Sequence, residues 1–307
     1  MIVVENLSKD YGSRRAINNL NFTIKKGEVV GFLGPNGAGK STTMKIITGF
    51  MAPSSGVAKV SGYDVFENPI EVKKRIGYLP ETPPVYGDMY VKDYLKYVAE
   101  LKLVPKIKIN QLVNNAIEKT NLGEVQNRLI QNLSKGFRQR VGIAQAIVSD
   151  PEVLILDEPT VGLDPKQVSE IRELIKNLRG QHTIILSTHV LPEVQATCEK
   201  IIIIHRGEIV AQDTIQSLSM REKGHSRLHL RSRKEIADLK KVLEGLEGVR
   251  QIHSGNSNRE WDVDVDGNEE IMDAISHRIV NQGYGLLEFT PSRMDLEDVF
   301  LKLTYGN

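Results

Sequence analysis

Apolar positions in the first two thirds of the chain follow two rhythms. Glu28–Leu33, Val153–Asp157, His182–Ser187 and Ile201–Ile204 are short, apolar, β-prone runs and read as buried strands. Between them lie helical patterns: Ser41–Phe50, Gln111–Lys119, Val168–Leu178, and a helix after Ser134 with Val141, Ile143, Ala144 and Ile147 on its apolar face. Over Val91–Lys102, Val91, Tyr94, Leu95, Val98 and Leu101 recur at helical spacing. A short helix ends at Arg75 and leads into a strand, Arg75–Leu79, after which Pro83-Pro84 imposes an extended, exposed loop. Strands alternating with helices predict a largely parallel sheet. The early strands Met1–Leu7 and Ala16–Ile24 add an antiparallel layer, Gly56–Val60 reads as a further strand, and residues from about 90 to 150 read as a helical subdomain.

Beyond His225 the order changes. Strand Leu228–Ser232, helix Lys234–Leu246, strands Val249–His253 and Glu260–Val265, helix Glu269–Gln282 and strand Gly285–Thr290 spell β-α-β-β-α-β, the ferredoxin-like pattern. A last helix is expected over Asp295–Thr304. The spacing therefore predicts a domain over 1–220 and a small α+β accessory domain over 221–307.

Composition adds little to this and excludes some classes. The 307 residues are 40% hydrophobic, enough for a substantial core, and the net charge of +1 gives no argument for nucleic acid. Charge is uneven: Met1–Lys223 carries a net +5 and the remainder −4, in keeping with a boundary near 220. Cys198 is the single cysteine, so no internal disulfide forms and a reducing compartment is expected. The start, Met1-Ile2-Val3-Val4-Glu5-Asn6, lacks the pattern of a signal peptide, and no stretch approaches the roughly 18 to 20 apolar residues that span a bilayer. The chain is not expected to cross a membrane by itself.

The chemistry concentrates at Gly34-Pro35-Asn36-Gly37-Ala38-Gly39-Lys40-Ser41-Thr42, which satisfies G-x-x-x-x-G-K-[ST] between a strand and a helix. Its glycines let backbone N–H groups approach a phosphate, and the helix start favours an anion. Lys40 is placed to neutralise β- and γ-phosphates, and the Ser41 hydroxyl to ligate Mg²⁺. Asp157, at the end of an apolar strand, is placed to hold Mg²⁺, directly or through water. Glu158, next along, can polarise a water for in-line attack. His189, at another strand tip, can contact the γ-phosphate or orient that water. Ser134-Lys135-Gly136 opens a helix and forms a second anion site. Tyr11, ahead of the loop, is either a base-stacking aromatic or a turn and core residue.

With those residues in view, the chain resembles the ABC ATPases. Leu133-Ser134-Lys135-Gly136-Phe137 is similar to the signature usually written LSGGQ, and Leu154–Glu158 to Walker B with its catalytic glutamate. Gly162-Leu163-Asp164 resembles the D-loop and Thr188-His189 the H-loop. Tyr11 stands where the family has its adenine-stacking aromatic, and Glu81 where it has the Q-loop glutamine. The motifs cover about Met1 to Leu218 in family order and spacing. The resemblance is strongest to ATP-binding subunits of bacterial ABC-2-type exporters, among them drug-resistance and gliding-motility-associated ATPases, and it extends to the ending Leu296-Glu297-Asp298-Val299-Phe300.

The implied fold is an α/β P-loop NTPase of the ABC ATPase type with an antiparallel β layer and a helical subdomain. The implied activity is ATP hydrolysis with Mg²⁺, powering a membrane exporter. Glu158, His189, Lys40 and Glu81 would be catalytic, and Ser41, Asp157 and Glu81 would meet the metal. ATP would be held by Tyr11 and Gly34 to Thr42 of one subunit and by Ser134, Lys135, Gly136 and Asp164 of a second, in a head-to-tail pair. A polytopic permease on the cytoplasmic face of the bacterial inner membrane would be the other partner. Three residues depart from the pattern: Glu81 replaces an amide, Lys135 a glycine and Phe137 a polar residue. Two rival readings are a soluble ABC ATPase acting on ribosomes or DNA, and a weakly hydrolysing ATP sensor. A single cassette and the lack of a long coiled coil between Gly39 and Ser134 argue against the first.

Overall fold

A computed structural model describes residues 1–221, 225–255, 257–266 and 269–293, with Phe300 and Thr304. The chain divides into two compact units, Met1–Asp213 and Thr214–Asn307. The helix expected over Asp295–Thr304 otherwise lies outside the described residues.

The first unit runs β1 (Ile2–Tyr11), β2 (Arg14–Ile24), β3 (Val29–Leu33), α1 (Lys40–Ile47), β4 (Ser55–Val60), β5 (Tyr63–Asp64), α2 (Pro69–Arg75) and β6 (Ile76–Leu79). It continues with α3 (Val91–Leu101), α4 (Lys106–Lys119), α5 (Lys135–Ile147), β7 (Val153–Asp157), α6 (Pro165–Leu178), β8 (Thr183–Thr188), α7 (Leu191–Thr197), β9 (Lys200–His205) and β10 (Glu208–Thr214). Six strands form one sheet in the order β10-β9-β3-β8-β7-β6. β3 pairs parallel with β8 and β9, and β7 with β6 and β8. The antiparallel layer is a second sheet, β2-β1-β4-β5.

Every residue of β3 and β7 is buried, because both faces of the parallel sheet are covered. Side chains alternate between two cores. Leu154 and Leu156 join the helical layer with Tyr94, Leu95, Val113 and Val141, while Val153 and Ile155 join the antiparallel layer with Leu7, Phe22 and Met44. All the parallel strands deliver their C-terminal ends to one edge, where ligands of open α/β sheets bind.

Two helical readings needed adjustment. α4 starts at Lys106, five residues before the expected Gln111, because Ile107 is 90% exposed and hides the amphipathic rhythm of the first turn. Leu101 is also exposed, and Ala99 takes its place in the core.

The second unit contains α8 (Ile215–Arg221), β11 (His225–Ser232), α9 (Leu239–Val242), β12 (Val249–Ser254), β13 (Glu260–Asp266), α10 (Glu269–Asn281) and β14 (Leu286–Arg293). Its antiparallel sheet has the order β12-β13-β11-β14, so β13 and β11 form the central pair with β12 and β14 at the edges, as in a ferredoxin-like fold. Leu228, Leu230, Trp261, Val263 and Val265 pack on one face against Ile271, Ile275 and Ile279 of α10. The helix expected over Lys234–Leu246 is only the four residues of α9. Upstream of it, the amides of Arg233, Lys234 and Ile236 bond to the carbonyls of Gly285, Tyr284 and Asn258, which holds that segment extended until Asp238 caps the helix.

Candidate active site

The phosphate-binding loop joins β3 to α1. Gly39 precedes α1 with φ of 111°, a conformation that L side chains rarely adopt, and a Cβ there would lie 2.7 Å from Ile17 Cγ2. The loop is tied at both ends: the Gly34 amide donates to Thr188 O at 3.3 Å, and the Ala38 carbonyl accepts the Gly207 amide at 2.9 Å. The Lys40 ammonium is buried and donates to the carbonyls of Gly34 at 2.8 Å and Pro35 at 3.3 Å.

Opposite the loop, the ends of β7 and β8 bring acid groups together. Asp157 and Glu158 are both buried. The Asp157 carboxylate accepts the Ser187 hydroxyl at 2.7 Å, and the Ser41 hydroxyl lies close enough to favour its charged form. Desolvation raises its pKa above the ordinary carboxylate value; the two hydroxyls oppose this, and the Glu158 and Glu81 carboxylates add to it. Among the described residues no cation pairs with it.

Glu158 follows the strand with φ of 50°, in the left-handed region, held there as its amide donates to Ser187 O at 2.8 Å. Such a conformation in a non-glycine residue costs on the order of 1–3 kcal/mol and is typical of functional positions. Its carboxylate lies 3.4 Å from the Lys40 ammonium and 2.9 and 3.0 Å from His189 Nδ1.

Lys40, Glu158 and His189 border one cavity of about 860 Å³, with Tyr11, Asn36, Gly37, Gly39, Ser41, Thr42 and Glu81; Asp157 lies behind its wall rather than in it. Tyr11 presents an exposed ring and donates its hydroxyl to Met51 Sδ at 3.0 Å. Gly34, Pro35 and Ala38 act through their backbone, as above. The cavity also has walls that sequence reasoning passed over: Arg14, Arg15, Ala16, Val161 and Arg206. Arg14 and Arg206 sit at hairpin turns, where an arginine is unremarkable in sequence; only the meeting of two hairpins beside the loop gives them a role.

Ser134, Gly136 and Asp164 line a different cavity of about 440 Å³ with Phe137, Arg140, Gln167 and Glu170. Ser134 caps α5, accepting the Phe137 amide, and Asp164 caps α6, accepting the Gln167 amide at 2.9 Å. A Cβ on Gly136 would come within 2.7 Å of Gln167 Cδ, so the glycine lets the two helix starts meet. The Lys135 ammonium rests beside Gly162. One chain thus carries two separate cavities, and Ser134, Gly136 and Asp164 do not border the first.

The ABC transporter family matches residues 17–161. Over 308 residues the chain is 32% identical to the bacitracin transport ATP-binding protein of Bacillus licheniformis, covering 100% of this chain and 98% of that one. The chain belongs to the ABC transporter ATP-binding proteins. This ABC ATPase is also 38% identical to the lantibiotic transport ATP-binding protein of Streptococcus pyogenes, over 69% of its own length and 90% of the relative's. Among solved structures it is similar to a dimeric bacterial ABC transporter cassette, with a TM-score of 0.64 and 26% identity over 70% of this chain and 98% of that one. In the described part of the ABC ATPase no helix is long and apolar enough to cross a membrane.

Proposed function

We propose that this ABC ATPase is the energy-supplying subunit of an ABC-2-type exporter on the cytoplasmic face of a bacterial membrane, and that it works as a homodimer. The observation that carries the reading is the single cavity in which Lys40 and Ser41 face Glu158 and His189. The separate surface at Ser134, Gly136 and Asp164 supports the pairing: it lies at a helix start, which favours an anion, and does not border the cavity of its own phosphate loop. A second copy, head to tail, would use it. ATP held between two copies draws them together, and its hydrolysis releases them.

In the ground state Lys40 is held by loop carbonyls and by Glu158. The phosphates of ATP compete for that ammonium and free the Glu158 carboxylate. Glu158 then accepts a proton from the attacking water, the new P–O bond forms, and the bond to the leaving ADP oxygen breaks. His189, bonded to Glu158, holds the base and its water in line. Positioning and electrostatics supply most of the acceleration in phosphoryl transfer. Arg14 and Arg206 add positive charge to the cavity wall.

Mg²⁺ fits the donor set. Ser41 Oγ and the buried, cation-free Asp157 carboxylate are hard oxygen ligands, and Glu81 lies near enough to act on Asp157 electrostatically. Among the described residues no three acidic, histidine or cysteine side chains form a site by themselves, so phosphate oxygens and water would complete the shell. When bound, the ion neutralises the charge that develops on the phosphates.

The permease is proposed to dock at the loop after β6 and the adjoining helices, where Tyr86, Tyr90 and Tyr97 are exposed. The test is Glu158→Gln in the full-length protein, purified from membranes with ATP and Mg²⁺. The expected result is ATP affinity within about twofold of the parent, turnover lower by about 10²- to 10⁴-fold, and a polytopic membrane protein copurifying in near-equal amount. Near-normal turnover removes the base assignment; ribosomes or nucleic acid in place of a membrane protein remove the exporter assignment.

A further inference from the structure

A second buried carboxylate lies behind the first. Glu193, on α7, is 4% exposed. One of its oxygens accepts the Thr160 hydroxyl and the other accepts the Thr188 hydroxyl at 2.9 Å. Thr160 is two residues past Glu158, and Thr188 immediately precedes His189. The helix holds Glu193 in turn, with its amide on Val190 O at 3.1 Å and the Thr197 hydroxyl on its carbonyl at 2.6 Å. Among the described residues no lysine, arginine or histidine pairs with its carboxylate. Burying a carboxylate without a cation costs several kcal/mol, and an uncharged side chain of the same volume would fill this space at less cost. Packing alone does not account for Glu193.

The Thr188 hydroxyl supplies the account. It has one proton and two carboxylates within reach, Glu193 Oε2 at 2.9 Å and Glu158 Oε2 at 3.3 Å. Its oxygen is also oriented from the other side, accepting the Val190 amide at 3.1 Å. A proton given to Glu158 would occupy a lone pair that the attacking water needs.

We propose that Glu193 is a positioning residue for hydrolysis: it holds the Thr188 proton away from Glu158 and, through Thr160, ties the segment after Glu158 to the same anchor. Glu193 is buried and does not border the cavity. It sets the hydrogen-bond direction at the one hydroxyl that lies between the two carboxylates, and it locks together the two loops that carry Glu158 and His189. This rests on the reading of Glu158 as the base.

The test is Glu193→Gln in the full-length protein, alone and with Thr188→Val, measuring steady-state ATP hydrolysis and the affinity for a fluorescent ATP analogue. A glutamine carboxamide offers one acceptor oxygen where the carboxylate offers two, so with its NH2 turned to Thr188 the hydroxyl gives its proton to Glu158. The expected result is analogue affinity and KM within twofold of the parent and kcat lower by about 5- to 20-fold. In the Thr188→Val background the same substitution is expected to change kcat by less than twofold, because the hydroxyl that transmits the effect is gone. Glu193→Asp keeps the acceptor and is expected to recover part of the lost kcat; it also serves if the glutamine variant does not fold. Unchanged kcat in Glu193→Gln overturns the proposal, as does an equal loss of kcat in the presence and absence of the Thr188 hydroxyl. Failure of the base reading is seen separately, as normal turnover in Glu158→Gln.

Discussion

Asp157 is 2% exposed, and its pKa is raised chiefly by desolvation. The folded state therefore binds its proton more tightly than the unfolded chain does. Stability falls as pH rises from the ordinary value of 3.8 through the raised one, and at neutral pH the full cost is present. Asp157→Asn is expected to raise the melting temperature of the nucleotide-free protein at pH 7 by about 2–4 °C, the equivalent of roughly 1 kcal/mol for a unit of this size. The gain should shrink as the melts are repeated toward pH 4, while ATP turnover falls at every pH. A lower melting temperature at pH 7 would mean that the Ser187 and Ser41 hydroxyls outweigh desolvation. The same tension between function and stability marks Glu158, whose left-handed backbone is retained where a glycine would be less strained.

At the scale of elements, the starts of α5 and α6 are one construction. Ser134 and Asp164 cap the two helices, and Gly136 admits Gln167 between them. Gly136→Val meets the free end of the Gln167 side chain, which must swing aside, and is expected to destabilise by no more than about 1 kcal/mol. Gln167→Ala in the same chain should recover most of the loss in a thermal melt. If the double variant melts no higher than Gly136→Val alone, the crowding lies elsewhere. Sequence periodicity found most of these elements because their apolar faces are continuous. It failed over Lys234–Leu246, where the amides of Arg233, Lys234 and Ile236 are claimed by carbonyls distant in sequence. It also missed the first turn of α4, whose Ile107 faces outward.

For the whole molecule, the decisive feature is that Ser134, Gly136 and Asp164 do not border the cavity of the phosphate loop. On the proposed head-to-tail pairing, a complete site needs two chains. Glu158→Gln with ATP is expected to sediment as a dimer and without ATP as a monomer, and Ser134→Arg in the same background should keep it monomeric. A dimer that forms equally without nucleotide would separate pairing from ATP.

By itself the sequence determined the phosphate loop, the carboxylates at a strand end and the helix that opens after Ser134, because each is written in residue type and local spacing. Tertiary structure alone decided three things. It put Arg14 and Arg206 on the cavity wall, since two hairpins distant in sequence meet there. It set Lys40 against Glu158, since β3 and β7 flank β8 in one sheet. It placed Glu193 behind Thr160 and Thr188, where a buried carboxylate finds its donors on two separate loops. Contacts of this kind depend on strand order and burial, which residue spacing does not encode.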